Sequence, residues 1–197
     1  MKTLPARTRN GAARRLTIPL VDASVADLSA LGQVIGVPPG VLHRSTAFYG
    51  DAVKLWSPVD FISDADTTLS VARIEPRPNE IVYLERHFKH TQAFIPLGGK
   101  SFVAVMAPAT AGGLPDPALI GAYLFRGDTG FLMRIGTWHE FPFALVPETD
   151  VIVILRNQTS RNLTEIEDGE AMGADLEKRN LQARLDLVLT FDTQGGV

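Results

Sequence analysis

Six short apolar runs dominate the chain: Leu69–Ile74, Ile81–Glu85, Ser101–Met106, Ile120–Phe125, Val151–Arg156 and Leu185–Phe191. Each has the length of a strand, and turn residues such as Gly98–Gly99, Asp128 before Thr129–Gly130, and Pro147–Asp150 punctuate them. Branched and aromatic side chains fit a pleated, half-buried surface. Runs of this kind with tight connections therefore predict a mostly β chain, a sandwich or small barrel rather than a doubly wound sheet. Two stretches read otherwise. Val21, Val25, Leu28 and Leu31 recur at helical spacing between Asp22, an available N-cap, and Gly32, a stop, which predicts a short amphipathic helix. A second short helix is expected within Ala171–Arg184, after the acidic piece Glu165–Glu170. Ala107–Pro117, rich in Ala, Gly and Pro, reads as a surface loop.

At 197 residues the chain has the size of one domain able to enclose a small-molecule pocket. Residues 16–192 are expected to form that domain, with 1–15 as a flexible tail and 157–192 as a C-terminal extension packed on the body. Lys2, Arg7, Arg9, Arg14 and Arg15 are followed by no apolar run of the kind a secretory signal needs, and no stretch is long enough to span a bilayer as a helix. A cytoplasmic protein without a membrane partner is expected. A formal net charge of −3 argues against general nucleic-acid binding. The absence of cysteine removes disulfides, thiolate catalysis and zinc–cysteine sites together. Gly99–Lys100–Ser101 looks like the end of a phosphate loop, but Phe94 stands where that loop needs glycine. No G-x-G-x-x-G fingerprint occurs, so dinucleotide chemistry is not expected.

Chemistry then falls to four histidines, some arginines and some carboxylates. Residues of equal parity share one face of a strand, so Glu85 and His87, with Gln92 after a turn, can point into one cavity. His90 has the opposite parity and is expected elsewhere; Arg86 takes the far face, with solvent as its expected setting. Trp138–His139–Glu140–Phe141–Pro142 puts a further histidine beside an aromatic, far along the chain. Imidazole with carboxylate or amide oxygen suits a divalent metal such as Ni, Zn or Mn. A lone histidine in a half-buried strand is more often a hydrogen-bonded structural residue, and spacing alone does not separate the two. Trp138 and Phe94 are expected to fill core, and Arg134 and Arg156 have surface ion pairs as their plain alternative.

Leu84–Glu85–Arg86–His87 and Thr91–Gln92–Ala93–Phe94–Ile95–Pro96 resemble the central signature of the bacterial ureidoglycolate lyase family, also called ureidoglycolate hydrolase. Trp138–His139, then Pro142–Phe143, then Thr149–Asp150 before an apolar strand ending in Arg156, are similar to its second block. Ile18–Pro19–Leu20 and Leu31–Gly32–Gln33–Val34–Ile35 resemble its N-terminal part, so the resemblance covers residues 16 to 160.

The resemblance implies a cupin-like double-stranded β-barrel with one or two short helices, paired as a homodimer. It also implies a carbon–nitrogen lyase that cleaves ureidoglycolate, a small anionic substrate, to glyoxylate and urea in allantoin and purine catabolism. On that reading His87 and His139 are acid–base residues and Gln92 an orienting amide. Arg134 or Arg156 holds the substrate carboxylate, and Glu85 orients a neighbouring histidine. His87, Gln92 and His139 are alternatively the ligands of a divalent metal. Departures from the family pattern are specific. Met133 and Arg134 replace a Tyr–His pair, Glu140 a second histidine after Trp–His, and Leu155 an acid. His90 stands where a small residue is usual, and the chain continues well past Arg156. These departures leave open a cupin-like binding or sensor protein for a small carboxylate, or a lyase for a related 2-hydroxy acid derivative.

Overall fold

A computed structural model describes residues 2–4, 13–36, 44–45, 47–56, 59–166 and 169–193. Its strands are β1 (Lys2–Leu4), β2 (Arg14–Ile18), β3 (Leu20–Asp22), β4 (Gly32–Ile35), β5 (Arg44–Ser45), β6 (Lys54–Leu55) and β7 (Thr67–Ile74). Next come β8 (Glu80–Ile81), β9 (Tyr83–His87), β10 (Gln92–Pro96), β11 (Gly99–Ala107), β12 (Gly121–Gly127), β13 (Gly130–Met133) and β14 (Trp138–His139). The chain then forms β15 (Phe143–Ala144), β16 (Thr149–Arg156), helix α1 (Asn157–Thr164), β17 (Glu170–Met172), β18 (Leu176–Asn180), helix α2 (Leu181–Leu185) and β19 (Leu187–Phe191). The predicted β class therefore holds, and all six predicted runs contain strand.

The strands do not close into the double-stranded barrel that the resemblance implied. They form a nine-stranded sheet, a five-stranded sheet in the order β4-β13-β10-β16-β7, a three-stranded sheet in the order β2-β19-β8, and the small β5-β6 pair. The result is a cupin-like sandwich of mainly antiparallel sheets. β11 shows why the layers stack. Phe102, Ala104 and Met106 enter a core shared with Phe94, Phe131, Val151 and Val153 of the five-stranded sheet. Val103, Val105 and Ala107, of the opposite parity, enter a second core with Ile81, Leu187, Leu189 and Phe191 of the three-stranded sheet. A strand apolar on both faces needs cover on both, and the two smaller sheets supply it. No helix of the described residues is long and apolar enough to cross a membrane.

Three local expectations are corrected. The helix over Val21–Gly32 is absent: Asp22 closes β3, and its Oδ1 accepts from both the backbone N–H and the hydroxyl of Ser24. That side-chain turn competes with helix for the same backbone, leaving Val25 80% exposed while Leu28 and Leu31 still reach the core. Within Ala171–Arg184, β17 and β18 pair with each other and β18 pairs with β9, so the extension is largely sheet. Helix there is limited to α2, capped by Asn180 accepting from the Ala183 N–H and stopped by Asp186 at φ 55°. Finally, parts of the expected tail are paired: Lys2–Leu4 lies against β17, and Arg14–Ile18 runs parallel to β19. The buried alternation of Leu187, Leu189 and Phe191 makes β19 a strand whose open edge is covered by β2. Arg7 and Arg9 lie outside the described residues.

Candidate active site

β9 and β14 are hydrogen-bonded neighbours, with His139 directly opposite Glu85. This pairing joins two segments distant in sequence and converges three polar side chains on one face. Glu85 Oε1 lies 3.7 Å from His139 Nε2 and 3.9 Å from His87 Nε2. The two imidazole centroids are 5.1 Å apart. His139 Nδ1 stands 3.0 Å from the Thr137 carbonyl, so the proton it donates there leaves the Nε2 lone pair facing Glu85. Both histidines are buried, and neither His87 ring nitrogen nor His139 Nε2 has a hydrogen-bond partner.

Burial sets the protonation states. It pushes Glu85 up to about 7, opposed by Lys178 and reinforced by Glu140. It lowers His139 to about 4, against the bond to Thr137 and together with the charge His90 would carry. His87 is driven well below the ordinary histidine value by burial and then by the other two histidines. The cluster thus holds neutral imidazoles beside a carboxyl that exchanges its proton near neutral pH.

His90 does not lie apart from this cluster, as strand parity predicted. Its ring stacks on that of His87, with centroids 4.6 Å apart. β9 ends at His87, and a bend at Phe88–Lys89 resets the alternation before His90 bridges Ser63. Asp175 holds that bend: Oδ1 accepts from the N–H groups of Phe88 (3.1 Å) and Lys89 (2.8 Å), and Oδ2 accepts from the Thr159 hydroxyl. Oδ2 is also 3.1 Å from His90 Nδ1, close enough for an ionic contact though not aligned as a hydrogen bond. Burial alone would raise the Asp175 carboxyl, yet His90 and Thr159 bring it well below the usual range.

Arg86 is likewise not in solvent. The far face of β9 is covered, and Arg86 is buried against Glu177 of β18, bonded to the carbonyls of Thr110 and Gly112, and stacked over the Trp138 ring. Trp138 fills core, its indole N–H donating to Thr110 Oγ1. The Gln92 side chain lies beside His87, and its buried Oε1 has no partner.

The two arginines are elsewhere. Arg134 is exposed, donates to the Ser29 carbonyl, and lines a cavity of about 300 Å³ with Gln33, Asp60, Thr91 and Met133. Arg156 Nε donates to Asp64 Oδ1 at 2.5 Å. A different cavity, of about 270 Å³, opens beside Glu85 and is lined by Tyr83, Glu140, Phe141, Leu163 and Lys178. Lys178 sits directly across from Glu85 in the β9–β18 register. Sequence reasoning sets His90 apart by parity and does not single out Asp175 or Lys178. The last two belong to a stretch whose strand pattern was read as helix, and no motif marks them.

The family model described as ureidoglycolate lyase matches residues 16–174. Curated proteins named ureidoglycolate lyase are similar over shorter stretches. That of Azotobacter vinelandii is 37% identical over 106 residues, 54% of this chain and 63% of its own. That of Pseudomonas syringae pv. tomato is 36% identical over 104 residues, 52% of this chain and 60% of its own. That of Burkholderia mallei is 37% identical over 99 residues, 49% and 56%. The chain thus matches between 56% and 63% of the length of these relatives. Glu85, His87, His90, Gln92 and His139 fall inside the family match, which stops one residue before Asp175.

Proposed function

Because the chain belongs to the ureidoglycolate lyase family, we propose that it cleaves ureidoglycolate to glyoxylate and urea. The observation that carries this reading is Glu85 Oε1 set between His87 and His139 at the edge of a small cavity. The substrate carbon bears a carboxylate, a hydroxyl and a urea nitrogen. Glu85 in its ionised form takes the hydroxyl proton, the oxygen's electron pair closes the carbonyl, and the C–N bond breaks. The pair left on the urea nitrogen receives that same proton from Glu85. A carboxyl poised near 7 is suited to both halves of this transfer, and a positioned group of this kind contributes ~10²–10⁴-fold. His139 Nε2 and His87 Nε2 hold the protonated carboxyl and steer its hydrogen. Lys178, lining the same cavity, pairs with the substrate carboxylate. Arg134 is the alternative clamp if substrate binds in the other cavity, and Arg156 would first have to leave Asp64.

The unpartnered His87 and His139 nitrogens and Gln92 Oε1 are chemically suited to a divalent ion of the Ni, Zn or Mn class. Such an ion would supply Lewis-acid polarisation of a substrate oxygen. We place the reaction in cytoplasmic allantoin and purine catabolism, carried out by a two-fold homodimer. Leu69 and Val71, exposed on the edge strand β7, are surface that such pairing would cover.

Purified protein given racemic ureidoglycolate is expected to release glyoxylate and urea above the spontaneous rate. An unchanged rate at high protein concentration, with and without divalent metal, overturns the proposal. The separate cavity at Arg134, with Met133 in its wall, favours a second reading as a binding protein for small carboxylates. Thermal stabilisation by glyoxylate or oxalate without turnover of ureidoglycolate would select that reading.

A further inference from the structure

We propose that Glu140 selects the ureido group of the substrate, its carboxylate accepting the two parallel N–H groups on one edge of –NH–CO–NH2. The inference rests on the reading that ureidoglycolate occupies the cavity beside Glu85. It gives that cavity a residue for the end of the molecule that Glu85 and Lys178 leave unread. His139 ends β14, but the next N–H, that of Glu140, still donates to the Val105 carbonyl at 3.1 Å, so the backbone is fixed one step beyond His139. The Glu140 side chain is 19% exposed and lines the same cavity as Glu85 and Lys178. Its Oε1 is anchored, accepting from the Phe141 N–H at 3.2 Å and from Arg77 Nη2 at 3.4 Å. Arg77 is braced in turn by the Phe141 carbonyl at 2.6 Å and by the Phe143 ring, 3.9 Å away. Among the described residues no donor reaches Oε2.

Glu140 stands where the family pattern has a histidine. A neutral imidazole offers a single acceptor, whereas a carboxylate offers two oxygens set as a fork. A ureido edge presents two N–H groups side by side, the arrangement that makes guanidinium–carboxylate pairs bidentate. A cationic amidine would fit the same fork, but the charges of Arg77 and Lys178 both act at Glu140 and repel a third cation. The neutral ureido group meets no such repulsion and is the fitting occupant. A ligand whose carbonyl ends in a methyl group would leave one of the two acceptors unpaired, and a site built to receive an N–H discriminates against such a ligand.

The test uses the full chain and two stable carboxylates without the labile hydroxyl, N-carbamoylglycine and N-acetylglycine, which differ only in an amino against a methyl group at the far end. Calorimetric titration of the wild-type chain is expected to show N-carbamoylglycine binding at least ~10-fold more tightly. In Glu140→Ala the two affinities are expected to come within about threefold of each other. Glu140→Gln, which keeps the shape but sets an amide donor against a ligand donor, is expected to lose the preference as well, and it serves alone should the alanine variant fail to fold. A carboxylate that only paired with Arg77 would behave otherwise. Removing its charge would tighten both anionic ligands alike and leave their ratio unchanged, and that result overturns the proposal. So does equal binding of the two ligands by the wild-type chain, or binding of neither. Turnover is read separately: preference for N-carbamoylglycine through Glu140, with no glyoxylate released from ureidoglycolate, sinks the lyase reading and leaves this inference standing.

Discussion

Replacing Glu85 with Gln is expected to stabilise the protein at alkaline pH while abolishing its proposed chemistry. In the folded chain burial raises the Glu85 carboxyl from its ordinary 4.5 to about 7, so folding favours the protonated form. A raised acid contributes stability that is fully present below 4.5 and is lost as pH rises through 7. At 1.36 kcal/mol per pH unit, that interval is about 3 kcal/mol. Gln keeps the shape without the charge. Glu85→Gln and wild type should therefore keep a fixed difference up to pH 4, and by pH 8 the variant should gain about 3 kcal/mol on wild type. His139, lowered to about 4, acts in the opposite sense: its stabilisation is present above 6.5 and is lost as pH falls toward 4. That loss is common to both proteins and cancels in the difference. Urea unfolding of chelator-treated protein at several pH values from 4 to 8 measures the gap directly. A difference constant within 1 kcal/mol over that range would refute the assignment of Glu85 as a destabilised, proton-exchanging carboxyl.

His139→Ala is expected to lower turnover ~10²–10⁴-fold with the fold intact, and the double variant with His87→Ala to be hardly worse than either single one. Full activity per folded molecule, read with circular dichroism beside the rate assay, would make both histidines structural. Arg86→Met removes a cation that is buried with Glu177, whose other partner Arg179 remains. Breaking a buried pair costs about 3–5 kcal/mol, the low end applying here, which is a melting-temperature loss of roughly 6–12 °C. A loss no greater than that of Arg73→Ala, whose pairs with Glu148 and Asp150 are largely exposed, would show that the Arg86 site tolerates the change.

Strands were legible in this chain because each carries its own composition signal between turn residues, as β11 and β16 do. Their assembly was not. Nothing in Leu20–Gly32 announces that Asp22 spends its side chain on Ser24, and an apolar spacing of three and four then imitates a helix. Likewise β17 and β18 are short and charged, so only their pairing with β9 makes them strand. In the site, parity marks Glu85 and His87 as sharing a face and the resemblance adds roles for them and His139; their convergence depends on the β9–β14 pair, a contact no local pattern encodes. Parity failed at His90 because alternation survives only within an uninterrupted strand, and the bend at Phe88–Lys89 is held by an aspartate far along the chain.

β18 and the turn before it explain why the extension matters to the chemistry. Along this one segment successive side chains are spent on opposite faces of β9. Glu177 meets Arg86 on the far face, while Lys178 lies in register with Glu85 and Leu176 with His87. Asp175, one step earlier, reaches the bend that turns His90 onto His87. The extension thus excludes water from β9 and places a cation at the cavity beside Glu85. It also locks the loop that brings in the third histidine. A chain with β9 and β14 but without β18 would retain the family signature and lose the burial that drives Glu85 upward and the imidazoles downward. The residues inside the family match supply the candidate acid–base groups, and β18 with the turn before it sets the environment around them.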